Sequence, residues 1–347
     1  MWRWRAWLDG RRRGLWRVAE WSGRGWSREW PRDLWRRREW RIRAAGLLAS
    51  LVLLGMVPAD LSRSAVSFAP LRHPFRGAEL FLDPDTAAAR WQSAHGAEWL
   101  RRITRHPQAR WLNNPPDLDQ VPSLVRQAQR QGQLLVLVAY HIPNRDCAGP
   151  GAGAASAGDY RRFVEQLVAA LGPVPAVVVL EPDAVAAECF DHARAQVLAW
   201  AVWRLAGAGH YAYLDAGHPG WRSTEEMAER LLDAGIGDAE GFSVNVANRQ
   251  TTEDSYRWAR KLSERLGDRQ FIIDTSRNGL GPPPRDEWCN PRWEGLGERP
   301  TTRVDRPGLA ALLWIKPPGE SDGACGGEFG HHFSPDLARR LIRNGPR

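Results

Sequence analysis

Apolar residues in this chain come in short unbroken runs that end in polar turns. Residues 134–139 run into Tyr140-His-Ile-Pro-Asn-Arg-Asp146, and residues 176–180 run into Glu181-Pro-Asp183. The design returns at 211–215, at 271–274, and at 312–315 before Lys316-Pro-Pro-Gly-Glu-Ser-Asp322. Apolar runs without alternation predict strands buried on both faces, as in a parallel sheet. Residues 79–82 read as a first strand and 241–248 as another. Between the strands, residues 85–105, 118–131, 159–171, 184–207, 223–234 and 251–266 read as helices. About seven strands with crossover helices in roughly 270 residues is the size of a single α/β domain, a TIM-like parallel (β/α) barrel.

Five of the runs deliver an aspartate at or just past the carboxyl end: Asp146, Asp183, Asp215, Asp274 and Asp322. In a parallel barrel those ends share the face where ligands bind. A single such aspartate usually starts a turn or caps a helix. Five in register predict a carboxylate-lined active site.

Charge changes the picture less than its total suggests. The chain of 347 residues carries a formal +8, but residues 1–43 hold fourteen Arg against five acidic residues. The remainder is close to neutral, so the basic balance does not point to nucleic acid. Those 43 residues also interleave nine Trp. They read as an over-long cytoplasmic leader, or else as a membrane-surface segment with Trp at the interface. Residues 44–61 are mostly apolar, short for a spanning helix, and read as a signal-peptide core or an uncleaved anchor. Residues 62–77 read as a connector and 78–347 as the catalytic barrel, with no second domain. Either reading of 44–61 places the barrel outside the cytoplasm, secreted or held on the outer face of the membrane.

The four cysteines agree with export, being even in number and without zinc-ligand spacing. Their order suggests Cys147–Cys189 and Cys289–Cys325, each closing a loop beside a strand-end aspartate.

Paired carboxylates facing one bond are the equipment for hydrolysing a glycoside, and one of them must stay protonated. Burial or a neighbouring anion raises a carboxyl pKa as that requires. Asp183, after an apolar strand and Glu181, is best placed as the acid. Asp146 beside Arg145, and Asp322 near Lys316 and Glu320, are placed to stay ionised. No metal-spaced His pair accompanies the carboxylates, so neither a metal nor another cofactor is expected. Trp111, Trp221 and Trp288 fall at expected loops or strand ends, where an indole needs a reason to be exposed and offers a platform for sugar rings.

Seven stretches resemble glycoside hydrolase family 6, the inverting cellulases. They are Tyr140-His-Ile-Pro-Asn-Arg-Asp-Cys147, Val179-Leu-Glu-Pro-Asp183, Tyr213-Leu-Asp-Ala-Gly-His-Pro-Gly-Trp221, Asn245-Val-Ala-Asn248, Ile273-Asp-Thr-Ser-Arg-Asn-Gly279, Glu287-Trp-Cys289 and Trp314-Ile-Lys-Pro-Pro-Gly-Glu-Ser-Asp-Gly323. The resemblance covers about residues 80–335. It implies a distorted barrel of seven rather than eight parallel strands, and the same cysteine pairing. Asp183 matches the family's general acid, and Asp146 the aspartate that supports it and helps activate water. Asp322 matches a proposed base or stabiliser of positive charge, and Tyr140 the tyrosine beside the distorted sugar. Trp111, Trp221 and Trp288 match stacking positions, while Lys316 and Glu320 match polar contacts to the bound chain; Arg145 and Asn248 are further candidates for binding it. Asp215 and His218 match the pair after the fourth strand.

Two positions depart from the family's pattern. Its loop serine falls at Ala152, with Ser156 too far along, and His141 stands where Asp or Asn is expected. The compact disulfide-closed segments imply an open cleft. The expectation is a monomeric endo-β-1,4-glucanase acting on soluble or amorphous glucan. A cellobiohydrolase, or a glucan-binding surface protein that has lost turnover, is the alternative.

Overall fold

Seven parallel strands follow one another across one sheet in chain order. They are β1 (Arg110–Leu112), β2 (Val136–Ala139), β3 (Val177–Leu180), β4 (Tyr211–Asp215), β5 (Gly241–Val244), β6 (Gln270–Asp274) and β7 (Leu309–Leu313). This computed structural model describes residues 69–149, 152–284, 287–323 and 333–346. The Trp/Arg-rich segment 1–43, the apolar run 44–61 and residues 62–68 therefore lie outside the described residues. Among those described, no helix is long and apolar enough to cross a membrane.

Helices α1 (Ala87–His95), α2 (Arg101–Thr104), α3 (Val121–Gln131), α4 (Ala157–Leu171), α5 (His192–Gly207), α6 (Thr224–Asp233), α7 (Thr252–Arg265) and α8 (Pro335–Asn344) complete the fold. The apolar runs are unbroken because both faces of each strand are covered. Leu137, Ala139, Val178 and Leu180 pack outward against the helices. Val136, Val138, Val177 and Val179 point inward, where they meet Tyr213, Ile272 and Leu313. The sheet curls until its edges nearly meet. The Ala109 amide donates to the Trp314 carbonyl at 3.0 Å and the Trp111 indole to the Ile315 carbonyl at 2.7 Å. No ladder joins β1 to β7, which makes this a distorted, open-seamed barrel.

Six strands fall where the apolar runs put them, and the first does not. Residues 79–82 make only a bridge, Leu80 to Leu134, alongside the start of β2. The true first strand, Arg-Trp-Leu, is three residues long and too mixed in character to stand out. The helix expected over 85–105 breaks at Gly96, whose φ of 61° caps α1. Residues 184–191 form a loop, and α5 starts only after Asp191 caps it by accepting from the Arg194 amide. Helix α8, capped by Ser334, went unforeseen.

The stretch read as a connector does more than connect. The Ala69 amide bonds the Gly237 carbonyl at 2.8 Å, and Arg72 pairs with the buried Glu240 through its amide and its Nε. Phe75 enters the barrel interior and meets Tyr213 edge-on, ring centroids 5.7 Å apart. Residues 69–75 thus close the end of the barrel opposite the strand-end aspartates.

Candidate active site

Past β2 the chain makes a tight turn with positive φ at Asn144, Asp146 and Cys147 (52°, 59° and 56°). Non-glycine residues hold such angles only where surroundings enforce them. The enforcement here is specific. The buried carboxylate of Glu181, at the end of β3, accepts from the His141 and Ile142 amides at 2.9 Å each. Arg194 on α5 donates to the Pro143 and Asn144 carbonyls at 3.1 and 2.9 Å. The Cys147–Cys189 disulfide ties down the far side. Gly153 folds back over the strand, where a β-carbon would lie 2.0 Å from the Ile142 carbonyl oxygen.

This turn presents three side chains together. The Tyr140 hydroxyl donates a hydrogen bond to the exposed Asp146 carboxylate. Arg145 lies 4.4 Å above the Tyr140 ring and 3.7 Å from Asp146. Burial and then the charge of Asp146 push the Tyr140 hydroxyl pKa far up, so it remains a donor.

Asp183 sits at the end of β3 with φ of 69°. Its amide donates to Asp215 Oδ2 at 2.8 Å, which fixes the turn that carries it. Its carboxyl is pushed well above the usual carboxylate range, first by burial and then by the charges of Asp215 and Asp146. Asp215 is itself raised to about 7 by burial, against the pull of three donors. Those donors are the Asp183 amide, the Gly217 amide at 3.0 Å and the Ser243 hydroxyl at 2.8 Å. With them Asp215 carries negative charge more readily than Asp183, and the proton resides on Asp183.

Asp322 is the opposite case. Burial would raise its pKa, but Arg277, Lys316 and Arg249 together hold it below the usual range. Arg277 Nη1 lies 2.8 Å from one carboxylate oxygen, and Arg249 Nη2 at 3.1 Å and the Asn290 amide at 3.0 Å reach the other. The fifth aspartate, Asp274, faces backbone. It accepts from the amides of Ala247, Ser276, Ile315 and Lys316 and so joins the ends of β5, β6 and β7.

The other expected residues have the following surroundings. The Trp111 and Tyr140 rings meet edge-on at 5.1 Å, and the Lys316 ammonium lies 5.4 Å from the Trp111 ring. Burial raises the pKa of Glu320 against the pull of Lys316. Trp221 stacks obliquely on His218 at 5.3 Å and packs on the helix–sheet core. Asn248 accepts from the Arg249 amide at 2.8 Å. Trp288 stands 67% exposed, and Arg249, which pairs with Asp322, donates to its carbonyl at 2.7 Å. Cys289 is disulfide-bonded, and Cys325 lies outside the described residues. Ala152 contributes its carbonyl to the Arg145 amide, while the Ser156 hydroxyl caps α4 through the Asp159 amide. His141 is buried, its Nδ1 2.7 Å from the Asn113 carbonyl oxygen. Sequence reasoning passed over Arg249, Glu294 and Ser243 and gave Arg277 and Glu181 no role of their own, because these residues act across the sheet and leave no local pattern.

A parallel barrel whose strand ends set a proton-holding carboxyl beside an ionised one belongs to the class of folds used by glycoside hydrolases. The chain belongs to the glycosyl hydrolases family 6, whose model matches residues 75–338. It is 40% identical over 275 residues to Endoglucanase A of Cellulomonas fimi, covering 76% of this chain and 61% of that protein. It is 35% identical over 286 residues to Endoglucanase 1 of Streptomyces halstedii, covering 76% of this chain and 88% of that one. The chain thus spans about six-tenths of the first relative and most of the second. Among solved structures, the endoglucanase Cel6 of Mycobacterium tuberculosis, in complex with methyl-cellobiosyl-4-deoxy-4-thio-β-D-cellobioside, superposes with a TM-score of 0.74. It is 37% identical, with 78% of this chain and 99% of that one covered.

Proposed function

We propose that this protein is an inverting endo-β-1,4-glucanase with Asp183 as its general acid. The observation that carries the reading is the contrast between two strand-end carboxyls, Asp183 buried beside Asp215, which pushes its pKa up, and Asp322 gripped by Arg277 and Arg249, which hold its pKa down. Asp183 gives its proton to the glycosidic oxygen as the bond to the anomeric carbon breaks. Water adds to that carbon from the opposite face, and its proton leaves through Asp146, which is exposed and bonded to Tyr140. Asp322 is a weak base under two guanidinium groups, so its part is to stabilise the positive charge that develops on the sugar. Asp215 orients Asp183 through its amide.

Trp111, Trp221 and Trp288 are the stacking platforms. Lys316, Glu320, Arg145, Asn248 and His218 are the polar contacts to the chain. Action as a monomer belongs to the same reading. The Cys147–Cys189 disulfide supports an oxidising, extracellular location, with residues 44–61 as export signal or anchor.

The test is viscosity and reducing-sugar release on carboxymethylcellulose. Steep thinning per bond cut is expected, together with a loss of about 100-fold or more in Asp183→Ala. Sugar release with little thinning would indicate action from chain ends. Binding of cellohexaose without any release would indicate a glucan-binding protein, in keeping with a Ser156 hydroxyl already engaged as a helix cap.

A further inference from the structure

Asp322 is held by a guanidinium that the roles above leave without a purpose. Arg249 follows β5 and is buried, its side chain only 3% exposed. Its Nη1 donates to the Trp288 carbonyl at 2.7 Å, and its Nη2 lies 3.1 Å from Asp322 and 3.3 Å from Glu294. Two buried cations on a single carboxylate call for a second anion, and Glu294, equally buried, supplies it. Asn290, two residues beyond Trp288, adds its amide to the same Asp322 oxygen. One planar side chain therefore joins the loop bearing the exposed indole to the ionised carboxylate.

We propose that Arg249, balanced by Glu294, is a positioning residue that couples sugar stacking on Trp288 to the placement of Asp322. The inference rests on the roles given above to Trp288 and Asp322. A ring settling on Trp288 fixes the backbone whose carbonyl Arg249 holds. The rigid fork of the guanidinium passes that constraint to the carboxylate. Binding at one end of the cleft is thereby expressed in kcat rather than only in KM. Arg277 and Lys316 also face Asp322, and Asp183 lies within its field. Removing one cation of three lets the Asp322 carboxyl take up a proton at higher pH.

The test measures kcat, KM and pH profiles on cellohexaose for Arg249→Met, Arg249→Lys, Glu294→Gln, Trp288→Ala and the Arg249→Met/Trp288→Ala double variant. Arg249→Met should lose about 10- to 100-fold in kcat, the scale of hydrogen bonds to a charged group. Its KM should stay within about threefold, and its acid limb should move to higher pH. Arg249→Lys should restore the acid limb but not kcat, because an ammonium carries the charge without spanning three partners. Glu294→Gln should move the acid limb the other way, a sign that remains testable if Arg249→Met folds poorly. In kcat the double variant should lose no more than Arg249→Met alone. Additive losses, or an Arg249→Met enzyme with unchanged kcat and acid limb, would overturn the coupling while leaving Asp322 its role. An unimpaired Asp322→Ala enzyme would overturn that role, and the coupling with it.

Discussion

Asp215 takes three donors into a buried carboxylate, and its charge in turn weighs on the Asp183 carboxyl. Removing that charge has a definite sign. In Asp215→Asn the Asp183 pKa falls, so the acid loses its proton sooner as pH rises and the alkaline limb of kcat/KM moves to lower pH. The carboxamide oxygen can still accept from the Asp183 and Gly217 amides, as Oδ2 does, with its NH2 turned to the Ser243 hydroxyl. The turn is therefore kept, and the lost charge alone should lower activity about 10- to 100-fold. An unchanged alkaline limb would show that Asp215 only braces backbone. The sequence made the five aspartates legible as a set and put Asp183, Asp146 and Asp322 at the centre. It could not separate Asp215 and Asp274, whose oxygens turn toward amides up to 42 residues distant. Arg249 and Glu294 stayed hidden for the same reason, since their pairing spans 45 residues and follows no period.

At the scale of elements, periodicity recovered what is long and apolar. The strands β2 to β7 are such runs, and α4, α6 and α7 lie within a residue or two of their expected bounds. It failed where an element is short, as in β1, or where one carbonyl-facing glycine ends a helix that composition would continue, as at Gly96. It also failed at Phe75, one apolar residue in a polar stretch, which nonetheless fills the lower barrel against Tyr213 and the inward valines. Phe75→Ala should cost about 3–5 kcal/mol of stability, read from urea unfolding. A cost below about 1 kcal/mol would mean that the segment is merely draped on the barrel.

For the whole molecule, buried groups set how stability depends on pH. Glu181 and Asp215 are both raised to about 7, so the folded chain keeps protons that the unfolded chain releases near pH 4. Their contribution is full below the unfolded value and is lost as pH rises through 7. His210, lowered to about 4, works in the other direction, but only below its unfolded value near 6.5. His106 and His141, lowered by burial, oppose the carboxyls as His210 does. The window to read is therefore about pH 7 to 8, where unfolded histidine is mostly neutral and the raised Glu181, Asp215 and Asp183 prevail. There the melting temperature should fall by about 2–5 °C. A melting temperature that is flat or rising across that interval would contradict the buried-carboxyl account.

The strand order has a consequence in time. Each strand pairs with its predecessor in the chain, so the barrel can assemble progressively as the polypeptide emerges, N-terminal end first. Asp146 and Asp183 belong to the first half of that sequence of events. Lys316 and Asp322 arrive only after β7, when the Ala109–Trp314 bond draws the seam together. A nascent chain, or one cut behind β6, thus holds a proton donor without the countercharge its reaction needs. On the reading proposed above, activity waits for the stretch that follows β7, and the order of synthesis is its own timer.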